Sequence, residues 1–448
     1  MEVPLNFNIN GRIISKLNKR IMSRAILSVL LLFFSLSNVA QEKQKAIWAG
    51  AMLDVIEGKI INNVLIVIEN DKIIKIDKAS NKDKYKEVID LSKYTILPGL
   101  IDCHAHLVLN SYDKSIDQWE LPIANYGIMG TLNAEKTLNA GFTSVRDIWG
   151  IFYSDIALRD AIIKEIIPGP RMYVSGPAIT MTGGHGDWES WMAPQLELKQ
   201  NPAAIADGVD EVRKQVRRHI KQGVDLIKIT ATGGFGTSGS IPGAASYTEE
   251  EIRAAVDEAK KQGLKVAAHA HGADGIKNAV KAGVTSIEHG SLMDDEAIQL
   301  MKNRKVYLVM DLLAAHYSHI ELNEDYSDKK LGEGNNELYK RFLDNFLKAY
   351  RQGVKMVFGS DAGVYPHGRN AEQFNLMVKA GMTEIDAIKS ATIIAAELIG
   401  IEDNTGSIKE GKWADIIAVK GNPLEDITIL EKVEFVMKSG KIYKSNIK

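Results

Sequence analysis

The chain has 448 residues but only one cysteine, Cys103. A single cysteine excludes an internal disulfide and the cysteine clusters that hold structural zinc. The chain also lacks a large net charge, because 55 basic residues nearly balance 57 acidic residues, and the two signs are mixed along the sequence. No basic face stands out as a nucleic-acid binding surface. These absences leave a small molecule as the expected partner.

An apolar stretch long enough to cross a membrane is missing near the N-terminus. A spanning helix needs about 20 apolar residues, and the run AILSVLLLFF is much shorter. Five basic residues precede this run: Arg12, Lys16, Lys19, Arg20 and Arg24. This order predicts a secretory signal peptide over residues 1–40, with the true start at Met1 or Met22 and cleavage after Ala40. The protein is then periplasmic or secreted and has no stable membrane span, and the minor alternative is anchoring by this helix.

The rest of the chain changes its pattern twice. Residues 41–95 and 401–448 read as short strands joined by turns, whereas residues 96–400 alternate apolar strand-like runs with amphipathic helical runs. Eight strand–helix units predict an α/β fold with a closed (β/α)8 barrel. The two strand-rich ends flank this barrel, and the simplest arrangement pairs them into a small β-sandwich.

Helix boundaries support the same division. Thr248 and Glu251 match the capping-box motif at the start of the fourth barrel helix. Glycines stand where four helices should end: Gly223, Gly263, Gly283 and Gly353.

Ligand-type side chains recur at the carboxyl ends of the predicted barrel strands, where barrel enzymes place their active sites. They are His104, His106, Lys228, His269, His289 and Asp361. Each has an ordinary structural explanation by itself: a strand-end histidine is usually hydrogen-bonded, a lysine is usually solvated, and Asp361 before Ala-Gly suits a turn. Six such residues at one end of a barrel are hard to explain separately, so we expect a metal site.

Six motifs carry a resemblance that covers roughly residues 46–446. They are PGLIDCHAHL, LIKIT, AAHAHG, IEHGS, GSDAG and GSIKEGKWADIIAV. Together they resemble the metal-dependent amidohydrolase superfamily, and within it the imidazolonepropionase-related branch that includes Xaa-Pro dipeptidases. The combination is highly specific.

The resemblance implies a role for each strand-end residue. It implies that His104 and His106 bind one metal, that His269 and His289 bind a second, and that carbamylated Lys228 bridges the two. Asp361 would be both a metal ligand and the general base, which later returns the proton to the leaving nitrogen as an acid. Carbamylation needs a neutral amine, which burial of a lysine supplies by lowering its pKa. The ligand types favour two Zn²⁺ ions and leave Mn²⁺ and Fe²⁺ open.

Three further residues are candidates for catalysis or substrate binding. His271 shares strand parity with His269, and we favour His269 as the metal ligand because Gly272 already begins the next loop. His271 is then expected beside the ligands or facing the substrate. His185, in the loop after the third strand, could polarise a substrate carbonyl, although a plain loop histidine is as good an explanation. Tyr247 is a weaker candidate for a contact to a substrate carboxylate, and Arg369 and His367 are further candidates for the same contact.

The glycine-rich segment GFGTSG, Gly234–Gly239, resembles a dinucleotide-binding fingerprint. In a Rossmann fold the glycine turn runs directly into a helix, but here SIPGAASY intervenes. The segment therefore predicts a loop over the barrel mouth instead of a nucleotide site.

The sequence favours an exported hydrolase that uses a metal-activated water to cleave a C–N amide bond, in a dipeptide of the Xaa-Pro type or an N-acyl amino acid. A cyclic amidase, similar to imidazolonepropionase, would need the same strand-end residues. The alternative from another class is a non-catalytic binding protein on the same barrel. Homo-oligomerisation stays open.

Overall fold

A computed structural model gives the fold of most of the chain. It describes residues 44–111, 121–193, 195, 198, 201–235, 237–317 and 329–447. The predicted signal peptide, residues 1–40, lies outside the described residues. No helix in the described ranges is long and apolar enough to cross a membrane.

Four strands formed by residues 45–98 begin the fold. They are β1 (Lys45–Asp54), β2 (Lys59–Glu69), β3 (Lys72–Lys78) and β4 (Glu87–Pro98). β1 pairs with β2 in antiparallel fashion and with β4 in parallel fashion. Since β1 lies between two partners, it forms the centre of this part of the sheet.

Parallel strands alternate with helices over the central region. The strands are β5 (Leu100–Ala105), β6 (Phe142–Asp147), β7 (Arg171–Val174), β8 (Ile179–Thr180), β9 (Ala204–Ile205), β10 (Leu226–Thr230), β11 (Lys265–Gly272), β12 (Ser286–Leu292), β13 (Tyr307–Met310) and β14 (Met356–Phe358). The helices are α1 (Ile123–Asn139), α2 (Ser154–Ile163), α3 (Gly208–Gln222), α4 (Glu249–Lys260), α5 (Ala273–Ala282), α6 (Asp295–Arg304), α7 (Lys329–Gln352), α8 (Glu372–Lys379), α9 (Glu384–Ser390) and α10 (Ile393–Ile399). This alternation confirms the predicted barrel pattern.

The barrel closes through hydrogen bonds between two sheets. β5, β6 and β7 form one sheet, and β8 to β14, apart from β9 at its edge, follow in chain order in the other. β7 and β8 are two parts of the third barrel strand, because Val174 accepts a bond from the amide of Asp225 and Ile179 pairs with Ile229 of β10. On the opposite side the amide of Asp361 donates to the carbonyl of His104 over 2.7 Å, which joins the eighth strand to the first.

Local signals in the sequence explain several helix ends. Thr248 and Glu251 form the complete capping box at the start of α4. Gly223 and Gly283 end α3 and α5 with φ angles of 86° and 95°, a left-handed conformation that glycine adopts without a steric penalty.

The C-terminal strands complete the terminal sheet. They are β15 (Ile416–Val419), β16 (Phe435–Lys438) and β17 (Lys441–Ser445), and the sheet order is β17-β16-β15-β4-β1-β2-β3. Edge strand β3 meets the segment before β15, because the amide of Ile73 donates to the carbonyl of Lys412 over 2.9 Å. The sheet thus folds over an apolar core that includes Ile47, Ile66 and Ile416. The two terminal segments pair as expected, and the domain boundaries at 41–95, 96–400 and 401–448 stay predictions.

Asp102 is the buried group that joins the first and last barrel strands. Its carboxylate accepts bonds from the amides of His104 and Ser360, from the Ser360 hydroxyl over 2.5 Å and from Asn370 Nδ2 over 2.8 Å. Burial raises the pKa of Asp102, and these donors oppose the shift. A buried carboxylate with four donors holds β5 and the segment after β14 in one register.

We expect Asp102→Ala to destabilise the barrel, because it leaves buried donors without an acceptor. The cost of such a change is about 1–3 kcal/mol per unpaired group, so the melting temperature should fall by several degrees. Differential scanning calorimetry measures this shift. Asp426→Ala is the matched control, since Asp426 is exposed and accepts only local bonds from Thr428. An equal shift in both variants would contradict a closing role for Asp102.

Candidate active site

The first and last barrel strands bring two histidines against a carboxylate. His104 and His106 point into the barrel, because Cys103 and Ala105 alternate with them along the chain and Cys103 packs against α10. Asp361 Oδ1 lies 2.8 Å from His106 Nε2 and 3.3 Å from His104 Nε2. Burial opposes the charge of Asp361, but His104 and His106 outweigh it and hold its pKa well below the usual range. The carboxylate is therefore ionised at neutral pH.

Two residues of the site have a left-handed backbone conformation, which residues other than glycine rarely adopt. The φ angles are 73° at His289 and 59° at Asp361. Ile287 packs among the helices and Glu288 lies inside the barrel, so strict alternation would point His289 outward. The left-handed turn redirects its imidazole toward the other histidines. Strain of this kind is stored mainly at functional sites.

Three more histidines lie beside this group. The ring centroid of His269 is 4.5 Å from that of His289 and 4.6 Å from that of His271. The rings of His271 and His289 stack at 4.7 Å, and His104 lies 4.9 Å from His289. Burial lowers the pKa of His269, His271 and His289 well below the ordinary value, so all three imidazoles are neutral at neutral pH.

Asp311 is a functional residue that the sequence analysis missed. It directly follows β13, and its Oδ1 lies 2.9 Å from His289 Nδ1. Burial and the nearby Asp361 charge raise the pKa of Asp311 to about 8. In its ionised form this carboxylate accepts a hydrogen bond from His289 Nδ1 and leaves Nε2 free for a metal. The strand-end rule that selected the other residues also applies to Asp311, because it stands at the end of the seventh barrel strand.

Lys228 is buried at the base of this cluster, with 1% of its surface exposed. Burial lowers its pKa to about 8, against the opposing effect of the Glu288 carboxylate. A much larger fraction of this amine is therefore neutral at pH 7 than for an exposed lysine, although most of it is still protonated.

Beneath the histidine cluster lies a buried ion pair, Arg146 and Glu288, which the sequence did not predict. Arg146 Nη2 lies 2.8 Å from both carboxylate oxygens of Glu288, and its Nε donates to the carbonyl of Cys103 over 2.6 Å. Glu288 Oε2 in turn lies 3.2 Å from His104 Nδ1. Burial and the Lys228 charge disfavour a charged His104, but the carboxylates of Asp361 and Glu288 raise its pKa to about 9. Glu288 thus places a negative charge behind His104.

His185 reaches the cluster from the loop after the third strand. Its ring stacks on His269 with centroids 4.4 Å apart, and its Nδ1 lies 2.8 Å from Thr237 Oγ1. Gly234 makes room for it, since a Cβ at that position would lie 2.7 Å from the ring. Burial lowers the pKa of His185 to about 3, so the imidazole is neutral.

The predicted substrate-binding residues differ in their positions. His271 lies in the cluster, and its Nδ1 is 2.5 Å from Ser291 Oγ. Tyr247 is buried, and its hydroxyl donates to the carbonyl of Ala206 over 2.7 Å, a position that does not favour substrate contact. His367 lies against the backbone of His106, and the Arg369 guanidinium is paired with Glu372.

The arrangement fits a metal centre. Three groups of ligand atoms each lie within 4.8 Å of one another: His104, His106 and Asp361; His289, Asp311 and Asp361; and His269, His271 and His289. The groups share members, so they form one continuous cluster. His269 Nε2 and His106 Nδ1 are buried without a hydrogen-bond partner among the described residues. Neutral imidazoles and carboxylate oxygens are the donors that divalent transition metals prefer.

Comparison with known proteins agrees with this geometry. The model of the amidohydrolase family matches residues 95–443. The chain is 33% identical over 440 residues to ochratoxinase of Aspergillus niger. The alignment covers 91% of this chain and 88% of that protein. It is 26% identical to imidazolonepropionase of Fusobacterium nucleatum, over 81% of this chain and 86% of that protein.

A solved structure of a Xaa-Pro dipeptidase with methionine bound in its active site is 38% identical to the chain. The two superpose with a TM-score of 0.85, covering 90% of this chain and all of the dipeptidase. The shared fold and the matched family model make the chain a hydrolase of C–N bonds that acts on small molecules. The chain belongs to the amidohydrolase family.

Proposed function

We propose that this protein is a binuclear metal-dependent hydrolase that cleaves the amide bond of a dipeptide, of the Xaa-Pro type, or of an N-acyl amino acid. The observation that carries the proposal is the convergence of five histidines, two aspartates and a buried lysine at one end of the barrel. A binding protein would need no buried lysine with a lowered pKa at that point.

The residues divide into two sets that would hold the metals. His104 and His106 with Asp361 would hold one ion, and His269 with His289 would hold the other. Lys228 would bridge them as a carbamate, formed when its neutral amine attacks CO₂ and releases a proton. When bound, the ions lower the pKa of a water molecule toward about 7 and polarise the scissile carbonyl.

Asp361 is the group that moves protons. Its ionised carboxylate takes a proton from the attacking water and passes it to the leaving nitrogen as the C–N bond breaks. The left-handed backbone at Asp361 fixes the direction of this carboxylate.

His185 orients the substrate carbonyl. Thr237 Oγ1 accepts a bond from the amide of Gly186 over 3.1 Å, so its hydroxyl hydrogen is available for His185 Nδ1. His185 Nε2 then carries the proton and can donate it to the carbonyl oxygen of the substrate.

The relatives support the substrate class. The Xaa-Pro dipeptidase structure holds an amino acid in its active site, and ochratoxinase matches the chain over a similar length. The resemblance to imidazolonepropionase supports a cyclic amide as the second candidate. Export through the segment at residues 1–40 is part of the proposal and rests on its basic residues and apolar run.

The purified protein should contain about two equivalents of divalent metal, because the cluster has donors for two ions. Inductively coupled plasma mass spectrometry after dialysis measures this content. His104→Ala combined with His106→Ala should reduce the content to about one equivalent, whereas Glu425→Gln, an exposed acid between β15 and β16, should leave it unchanged. Finding no metal after growth with added zinc would rule out the two-metal centre.

Lys228→Ala should abolish hydrolysis, since it removes the bridging carbamate. Formate or propionate should restore part of the rate, because a small carboxylate can occupy the space of the missing side chain. Lys265→Ala is the matched control: Lys265 is a partly buried lysine at the start of β11, at the opposite end of the barrel. An unchanged rate for Lys228→Ala would remove the carbamate from the proposal.

The substrate class is tested by comparing kcat/KM across four sets of compounds: Xaa-Pro dipeptides, N-acyl amino acids, cyclic imides and lactones. We expect the first two sets to be cleaved best. Cleavage of the rings alone would favour the cyclic amidase. Tight binding without turnover of any set would favour the binding protein.

A further inference from the structure

The loop after the fourth barrel strand forms an uncharged flap. Residues 229–248 contain no charged side chain, although Lys228 precedes them and three glutamates follow. Within this stretch Thr232 bridges to Ala245 and Gly233 bridges to Pro242, so the two arms of the flap pair with each other. A ligand that meets this flap therefore meets an apolar or neutral surface.

The flap is attached to the candidate active site. Thr237 in the flap holds His185 through the 2.8 Å contact with Nδ1, and Gly234 lies directly against the same imidazole ring. Its position over the site is thus fixed by a hydrogen bond and by close packing.

Phe235 is the apolar side chain that this arrangement places next to the histidine cluster. Its ring centroid lies 4.8 Å from that of His271, in an edge-to-face orientation of 73°. Yet 45% of Phe235 is exposed, while His271 is buried beneath it. Keeping a phenylalanine half exposed forgoes part of its burial free energy, and a substrate that covered the ring would recover it.

We propose that Phe235 determines substrate specificity by binding an apolar side chain of the dipeptide or N-acyl amino acid. This inference rests on the proposed function, because it names the side chain that the same site prefers. The subsite is the exposed face of Phe235 beside the buried His271. A substrate with glycine or an acidic residue at this position gains little binding free energy, since it brings little apolar surface to cover the ring.

The test compares substrates that differ only in one side chain. We would measure kcat/KM for Met-Pro against Gly-Pro and for Gly-Met against Gly-Ala, with the wild type, Phe235→Ala and Phe235→Leu. We expect the preference for methionine in at least one pair to fall by about 10-fold or more in Phe235→Ala, and by less in Phe235→Leu. Ile241→Ala is the matched control, because Ile241 lies in the same flap and is 71% exposed.

Two results would overturn the subsite: preferences unchanged by Phe235→Ala in both pairs, or an equal loss of preference in Ile241→Ala. If the wild type cleaves neither dipeptides nor N-acyl amino acids, the proposed function fails, and calorimetric binding of free L-methionine and glycine then decides the subsite separately. Tighter binding of methionine that weakens in Phe235→Ala supports it. Equal binding of the two amino acids contradicts it.

Discussion

The contact on which the site depends is the closure of the barrel between its first and last strands. The amide of Asp361 donates to the carbonyl of His104, and the Asp102 carboxylate holds both strands together from inside. Only this closure brings residues 104 and 361, far apart in sequence, within hydrogen-bond distance. The position of the Asp361 carboxylate beside the imidazoles of His104 and His106 results directly from this closure. The same hydrogen bonds therefore stabilise the barrel and assemble the site.

Buried charges are tolerated here because each has an opposite or hydrogen-bonding partner. Arg146 Nη2 contacts both carboxylate oxygens of Glu288 beneath the cluster, and Glu288 also faces His104 and Lys228. Burying any of these charges without a partner would cost several kcal/mol or more of folding free energy. Asp311 contacts His289 Nδ1, and in its ionised form it leaves Nε2 of that imidazole free. The layer beneath the site therefore prepares the donors that face a ligand.

Much of the fold and the central residues of the site could be predicted from the sequence. The strand-end rule pointed to His104, His106 and Lys228, and the structure places all three in the barrel interior. At His289 strand alternation by itself would give the wrong direction, because nothing in the residue type signals its left-handed backbone. Arg146 and Glu288 lie within strands, where a charge is not expected, so their mutual pairing could be found only in three dimensions. Asp311 could have been found, since it ends a strand like the others.

The loops, rather than the strand ends, must separate this protein's substrate from those of its relatives. The metal-binding pattern is placed by the barrel and offers the same donors to any amide, so it cannot distinguish a dipeptide from a ring. The flap after β10, unlike the strand ends, is suited to recognise a substrate side chain. It has no charged residue, it contacts His185 and it carries the half-exposed Phe235. Attachment to His185 links the position of the flap to the group that would orient the substrate carbonyl. A side chain that packs on Phe235 would therefore stabilise the same loop that holds His185 in place, which joins recognition of the substrate to its alignment for cleavage.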